Sequence, residues 1–217
     1  MIHINRVHRG TPDRYPLSTL LHDRTNHLHI DAEHRPLQRE LVRGVIAVEA
    51  LKCYLVQIHR VHEILETQLD DCRQAHPLID ATWTEDRRKQ HRLQDDLERL
   101  EVPVDAVDRL EPTYALESDL VSLADDMPVG LVGALYVFEK GTTANRVSAK
   151  EIRTRSNFSF RSSYFDMYGE DQPRMWSAFT STLDAATVSI TERAAILHGA
   201  CRTYRAIAEL SDAVSHE

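Results

Sequence analysis

The chain has 217 residues, of which 42% are hydrophobic and 28% are charged. This composition is ordinary for a folded globular protein and excludes disordered and fibrous classes. Its formal net charge of −8 argues against nucleic-acid binding, because neutralising phosphates requires a basic face. The longest uncharged stretch, residues 127–138, is much shorter than the roughly 20 residues that span a bilayer. We therefore expect one domain, with no membrane span and no nucleic-acid partner.

The first 17 residues contain charges and prolines but no apolar core, so they resemble neither a signal peptide nor a stable helix. We interpret residues 1–17 as a loose arm and residues 18–213 as the folded domain. The three cysteines, Cys53, Cys72 and Cys201, show no CxxC spacing. Such isolated thiols are typical of buried cysteines in a reducing compartment. Together these features predict a cytoplasmic protein.

Apolar residues recur at three- and four-residue spacing rather than in alternation, and only 7 glycines and 8 prolines interrupt the chain. The pattern predicts an all-α fold, a single-domain helical bundle. The expected helices, in chain order, cover residues 18–35, 37–43, 48–75, 85–101, 116–125, 129–153, 173–186 and 191–213.

Three of these helices carry specific expectations. Ser18 is expected to cap the first helix. Thr84 is expected to cap the charged helix 85–101, whose few apolar positions predict an outer, solvated element. The helix 129–153 is apolar nearly all round as far as Phe138 and then becomes polar near Gly141. We therefore expect it to kink there and to resume at Asn145.

Twelve histidines are the most unusual feature of the composition. His22 and His29 lie seven residues apart, which places them on one face of the first predicted helix. A single helical histidine is more often an ordinary surface or core residue than a ligand. Spacing alone therefore leaves the role of His29 open.

A second cluster contains His62 and Glu66, which lie one turn apart on the long helix 48–75. Together with Glu139 and His198 from other helices, they form part of the residue set that binds two irons in a carboxylate-bridged bundle. The second Glu-x-x-His helix of such a centre is missing, and a solvated histidine-rich face also explains the cluster. A non-heme iron oxidase is one alternative that the sequence leaves open.

Three blocks of the sequence resemble the bacterial heme oxygenases, of the type often found beside bacteriophytochromes. Residues 21–33 carry Leu, Thr, His, Ala and Glu at the family's spacing and align His29 with its axial histidine. Residues 133–139 match the distal pattern Gly-x-x-Tyr-Val-x-Glu. Residues 165–183 carry Tyr-Gly, Trp and Phe at the family's spacing, and residues 202–204 match its closing pattern. The resemblance covers about residues 18–212 and implies a heme oxygenase-like bundle.

The resemblance implies that heme is both substrate and cofactor and is cleaved to biliverdin, carbon monoxide and ferrous iron. Electrons would come from a ferredoxin or a flavoprotein reductase. His29 is implied to be the proximal iron ligand. The expected catalytic residues, on the distal side, are Glu139, Gly141, Thr142 and Thr143. The expected heme-binding residues, which include two possible propionate anchors, are His29, Tyr136, Lys140, Ala144, Arg24 and Arg174.

The distal helix departs from the family pattern Glu-Gly-Ser-x-x-Gly-Gly. Without a gap, Lys140, Ala144 and Asn145 replace all three glycines, whereas a slip of one residue restores only Gly141. A bulky side chain over the iron predicts slow turnover. A non-catalytic carrier or sensor of heme or a bilin, with the same fold, is therefore a further alternative.

Overall fold

The computed structural model describes residues 15–155 and 160–216. Within these ranges it contains nine α-helices and no β-strand, which confirms the predicted all-α fold. The helices, in chain order, are α1 (Leu17–Glu33), α2 (Pro36–Arg43), α3 (Val48–Asp71), α4 (Pro77–Thr82), α5 (Gln90–Arg99), α6 (Glu111–Asp126), α7 (Leu131–Arg155), α8 (Gln172–Ala185) and α9 (Ile190–Ser215).

The helix α9 lies at the centre of the bundle and packs against α1, α2, α6 and α7. The helix α3 packs mainly against α5 and α6. Buried apolar side chains from these helices form one continuous core, which is what holds a single bundle together. No helix within the described ranges combines the length and the apolarity that a membrane span requires.

Two glycines allow helices to approach α7 closely. An added Cβ at Gly133 would lie 1.9 Å from the Ile196 carbonyl oxygen, so α7 and α9 meet backbone to backbone at this point. Gly44 ends α2 with a φ of +67°, and an added Cβ there would lie 2.4 Å from the Glu151 backbone. Residues with a Cβ rarely adopt such a positive φ. The two glycines therefore hold α9 and the end of α2 against the same helix.

We expect Gly133→Ala to lower the free energy of unfolding by about 3 kcal/mol, because the new methyl group overlaps the α9 backbone. Gly141→Ala, on the same helix, is the matched control. An added Cβ at Gly141 meets no atom within 4 Å, so this substitution should stabilise the helix by about 0.5 to 1 kcal/mol. Chemical denaturation of both variants measures the difference. Equal effects would show that α7 and α9 are not in close contact.

The first helix begins one residue before the predicted start of the domain. Leu17, which we assigned to the arm, is the first residue of α1 and is buried. Ser18 does not cap the helix; its backbone N–H and its hydroxyl both donate to the carboxylate of Asp184. Residues 1–14 of the predicted arm lie outside the described residues.

Only the later part of the predicted helix over 85–101 forms. Residues 85–87 form a 3-10 turn, α5 begins only at Gln90, and the Thr84 side chain makes no capping hydrogen bond. Arg87 and Lys89 turn inward and are buried, because both bind the carboxylate of Glu139 on α7. The ion pairs of Arg87 and Lys89 with Glu139, about fifty residues away, therefore determine that α5 begins only at Gln90.

The helix is not interrupted at Gly141. α7 continues from Leu131 to Arg155 as one α-helix. A single glycine costs only about 1 kcal/mol in a helix interior, which the packing of a long helix can offset. Gly141 and Asn145 therefore lie on a continuous helical face.

Candidate functional site

The sequence of α1 places His29 on the side that faces the bundle. Leu21 and Thr25, at four-residue spacing before it, are both buried, and Ala32 follows on the same side. His29 continues this buried stripe, yet its side chain is 22% exposed. The His29 side chain is partly exposed because a cleft begins at this position.

We call this space the inner cleft; its enclosed volume is about 80 Å³, and about 580 Å³ of atom-free space includes its open mouth. It lies between α1 and α7, and α2, α3, α9 and Tyr164 complete the wall. The α7 side chains that line it recur at helical spacing. The lining residues are His29, Ala32 and Glu33 of α1, Val137, Phe138, Gly141, Ala144 and Asn145 of α7, and Gln38, Tyr54, Tyr164, Tyr204 and Ile207.

A wider space, the outer cleft, joins the inner one at His29 and has a volume of about 630 Å³. Lys140, Thr143 and Trp176 line it from α7 and α8, and Arg39 and Arg43 line it from α2. No described acidic side chain forms an ion pair with either of these two arginines. The outer cleft is therefore locally basic in a chain of net charge −8.

Burial lowers the pKa of His29 below its ordinary value of 6.5, and the nearby Lys140 and His22 lower it further. Glu33 opposes this shift, and its Oε1 lies 3.4 Å from the His29 Nε2. The Tyr204 ring lies 5.6 Å from the imidazole, centroid to centroid. At neutral pH the imidazole is therefore mainly neutral, and one ring nitrogen keeps a lone pair.

Gly141, and not Lys140, lines the inner cleft. An added Cβ at Gly141 would point into open space, with no atom within 4 Å. The Lys140 Nζ lies 3.2 Å from the His22 Nδ1, at the outer cleft, and burial lowers the pKa of this amine. The structure therefore places Gly141, rather than Lys140, in the wall of the inner cleft. Ala144 and Asn145 line the inner cleft beside Gly141.

Three residues that we expected in the heme-binding wall lie behind it. Tyr136 is 1% exposed, its ring packs against Trp176 at 5.6 Å, and burial raises its pKa to about 12. The Thr142 hydroxyl donates to the Glu139 carbonyl oxygen at 2.7 Å. The Glu139 carboxylate is buried away from both clefts, among cations and a phenol.

The two arginines that we expected to anchor propionates do not line either cleft. Arg24 is exposed on α1. Arg174 is exposed on α8, where its Nε donates to Asp171 at 3.0 Å. Arg39 and Arg43 hold the corresponding place in the outer cleft. Sequence reasoning missed them, although their four-residue spacing on a short helix close after His29 was a usable signal.

The residues of the non-heme iron alternative come together only in part: the His62 Nδ1 lies 3.7 Å from the Glu66 Oε1, but His198 does not join them. His198 is exposed on α9, whereas the His62 ring is buried against Phe138. Glu66 accepts the backbone N–H groups of Lys89 and Gln90. Across the part of the chain that the structure describes, no group of three or more His, Cys, Asp or Glu side chains could hold a metal ion. The structure therefore offers this hypothesis no site.

Comparison with solved structures places the fold among the heme oxygenases. Heme oxygenase from Leptospira interrogans superposes with a TM-score of 0.80 at 16% identity, covering 92% of this chain and 100% of its own. Heme oxygenase-1 from the cyanobacterium Synechocystis, solved in complex with heme, gives 0.80 at 13% identity and covers 93% of both chains. A TenA homologue from Pyrococcus furiosus is less similar, at 0.61 and 15% identity, over 91% of this chain and 99% of its own.

At these identities the structural likeness establishes the fold, while the family is established from the sequence. None of the curated protein sequences compared with this chain matches it. The family model described as heme oxygenase matches residues 15–213, which include the inner cleft, its histidine and its glycine. This protein therefore belongs to the heme oxygenase family.

Proposed function

We propose that this protein is a heme oxygenase, which binds heme in the inner cleft and cleaves it to biliverdin, carbon monoxide and ferrous iron. One observation carries the proposal: the neutral imidazole of His29 and the open backbone of Gly141 face one cleft from two different helices. In proteins, side chains such as histidine hold heme iron, and steric access to the pocket decides what chemistry the heme can perform.

The residues of the inner cleft fit such a group. Val137, Phe138 and Ile207 give it apolar walls that can contact a macrocycle, and the absence of a side chain at Gly141 leaves room above it. When bound, heme supplies the iron that activates oxygen and the porphyrin edge that is oxidised. The side chains of the chain bind and orient this substrate.

His29 would hold the iron in this proposal, with Glu33 beside its imidazole ring. The Glu33 carboxylate, 3.4 Å from one ring nitrogen, can accept its proton and leave the other nitrogen free for the metal. Burial keeps the imidazole neutral, which a metal ligand requires. His29 is therefore mainly in the neutral form that binding of iron requires.

The cations of the outer cleft hold the two propionates. Arg39 and Arg43 have no acidic partner among the described residues, and the Lys140 amine lies on the opposite side, beside His22. A guanidinium binds a carboxylate with two parallel hydrogen bonds. We assign the anchoring role to these side chains in place of Arg24 and Arg174.

The distal hydrogen-bonding role falls to Thr143 rather than to Thr142. Thr143 lines the outer cleft, and the Gln172 Nε2 donates to its hydroxyl at 2.8 Å. Thr142 is buried and receives a longer contact from the same amide, at 3.2 Å. In our proposal Thr143 binds water beside the substrate, and Gln172 holds its hydroxyl in place.

A carrier or sensor of heme or a bilin is the second candidate. Ala144 and Asn145 favour it, because both line the inner cleft where the family pattern has glycines. Added side chains reduce the room that the chemistry needs beside the substrate. The carrier would keep His29 and the outer cations and would bind without turnover.

Hemin mixed with the purified protein, followed by ascorbate in air, separates the two candidates. We expect a one-to-one complex with a histidine-ligated absorption spectrum, which then decays as biliverdin forms. Binding without biliverdin would support the carrier. No binding at all would refute both. A ferredoxin or flavoprotein reductase as the physiological donor, and a cytoplasmic location, stay predictions.

The affinity for hemin should depend on pH through His29. Because burial lowers the pKa of this imidazole below 6.5, it stays neutral to below that pH and then gains a proton that competes with iron. We expect affinity to be level near neutrality and to fall about tenfold per pH unit below the folded-state pKa. Absorbance titrations from about pH 7.5 to 5 measure this. The exposed His27 provides the control, since His27→Gln should leave the profile unchanged, and an affinity that already falls above pH 6.5 in the parent protein would contradict the assignment.

A further inference from the structure

A buried charge cluster lies behind the α7 wall of the cleft and consists of Arg87, Lys89, Glu139 and Tyr168. Glu139 and Lys89 are each 1% exposed, and Arg87 is 6% exposed. The Arg87 Nη1 donates to the Glu139 carboxylate at 2.6 Å, the Lys89 Nζ donates to its other oxygen, and the Tyr168 hydroxyl lies 3.0 and 3.1 Å from the two oxygens. Three side chains from two other segments therefore hold one carboxylate of α7.

The cluster is also anchored to the rest of the bundle. The backbone N–H of Lys89 donates to Glu66 on α3 at 2.7 Å, and the Arg87 guanidinium lies 4.9 Å from the Phe179 ring on α8. Removing charges from water costs several kcal/mol per ion, so buried ion pairs contribute little net stability compared with apolar side chains. Their directional bonds, however, fix the groups that they join. This cluster fixes one residue of α7 relative to α3 and α8.

Because the cluster fixes Glu139, the geometry of the helix determines which other residue of α7 faces the inner cleft. Successive residues of an α-helix are separated by about 100° of rotation, so Glu139 and Gly141 lie about 200° apart, on opposite sides of α7. If α7 turned by one residue, Lys140 would face the inner cleft. Gly141 would then lie where Thr142 now lies, on a buried side of the helix.

We propose that the buried charge cluster sets the rotation of α7, so that Gly141 rather than Lys140 faces the inner cleft. Arg87 and Lys89 are positioning residues, which act through Glu139 on the opposite side of the helix. This inference rests on the proposed function, because it explains how a heme site persists beside a lysine. The departure from the family's glycine pattern is compensated by holding Lys140 at the outer cleft.

The proposal is tested by measuring whether the effect of Lys140→Ala on hemin affinity changes sign when the cluster is broken by Lys89→Met. In the parent protein, Lys140→Ala removes a cation from the outer cleft and should weaken hemin binding about threefold. Lys89→Met breaks the cluster, lets Lys140 enter the inner cleft, and should weaken binding about tenfold. In the Lys89→Met background, Lys140→Ala should then tighten binding, because it removes the obstructing side chain.

The control is Lys150→Ala, at an exposed position of the same helix, which should have no effect in either background. Weakening of similar size by Lys140→Ala in both backgrounds would overturn the proposal, because a general loss of stability cannot reverse the sign. If Lys89→Met does not fold, Tyr168→Phe takes its place. This variant removes one hydroxyl from the cluster and should produce the same reversal at smaller size.

A second measurement needs no heme. The thiol of Gly141→Cys would point into open cleft space, so iodoacetamide should label it, as peptide mass spectrometry can quantify. Adding Lys89→Met should slow labelling at this position at least about tenfold, because the thiol turns toward the buried side. Equal rates would overturn the proposal. Failure of the parent protein to bind hemin would refute the proposed function alone, since labelling still reports the rotation.

Discussion

His29→Ala is expected to lower hemin affinity by about 100-fold and to remove the histidine-ligated absorption spectrum. His29 is the imidazole that lines both clefts from the buried stripe of α1, and burial holds its pKa below 6.5. Removing it leaves the apolar walls and the outer cations, so weak binding should persist without the normal ligand. Absorbance titration and the spectrum of the ferric complex measure the two effects separately.

His27→Ala is the matched control, because His27 lies on the same helix but is exposed and lines neither cleft. Its spectrum and affinity should equal those of the parent protein. Added imidazole should restore the ligated spectrum in His29→Ala, because the removed side chain leaves space at the iron. If His29→Ala keeps the parent spectrum and affinity, another residue binds the iron and the proposed heme site is wrong.

The fold and the face of α1 could be predicted because they depend on local periodicity. Apolar residues at three- and four-residue spacing define each helix without knowledge of its neighbours. His29 belongs to this stripe, four residues after Thr25, and its position on the bundle side follows from the same spacing. The family spacing then identified this histidine among twelve.

The buried cations could not be predicted, because their partners are distant in sequence. Arg87 and Lys89 lie in a strongly charged stretch, where periodicity indicates a solvated helix. They are buried only because Glu139, about fifty residues away, supplies the opposing charge. The exposure of Arg24, in contrast, follows from local spacing, because five residues separate it from His29 and place it about 140° around α1.

The rotation of α7 was ambiguous for a related reason. A sequence pattern fixes which residues share a helical face, but tertiary contacts decide which face meets the ligand. Lys140 and Gly141 are adjacent in sequence. A rotation of α7 by about 100° would therefore place the long Lys140 side chain where Gly141 now lines the inner cleft. The structure resolves the ambiguity through the carboxylate of Glu139 on the other side of the helix.

Gly141→Leu is expected to lower the rate of biliverdin formation by about 100-fold, because the new side chain would fill the open space that Gly141 leaves in the inner cleft. The histidine-ligated spectrum should remain, since His29 lies on α1 and is unchanged. The rate of biliverdin formation from hemin and ascorbate, compared at saturating protein, measures the loss.

Lys150→Leu, at an exposed site on the same helix and outside both clefts, is the control for the added side chain and should turn over at the parent rate. Gly141→Ala should fall between the parent protein and Gly141→Leu, because one methyl group occupies only part of the space. This graded series links the rate to the volume above the substrate rather than to helix stability, which Gly141→Ala should improve. Unchanged turnover in Gly141→Leu would place the reacting edge of the substrate elsewhere, and Ala144 and Asn145 would then be the next positions to substitute.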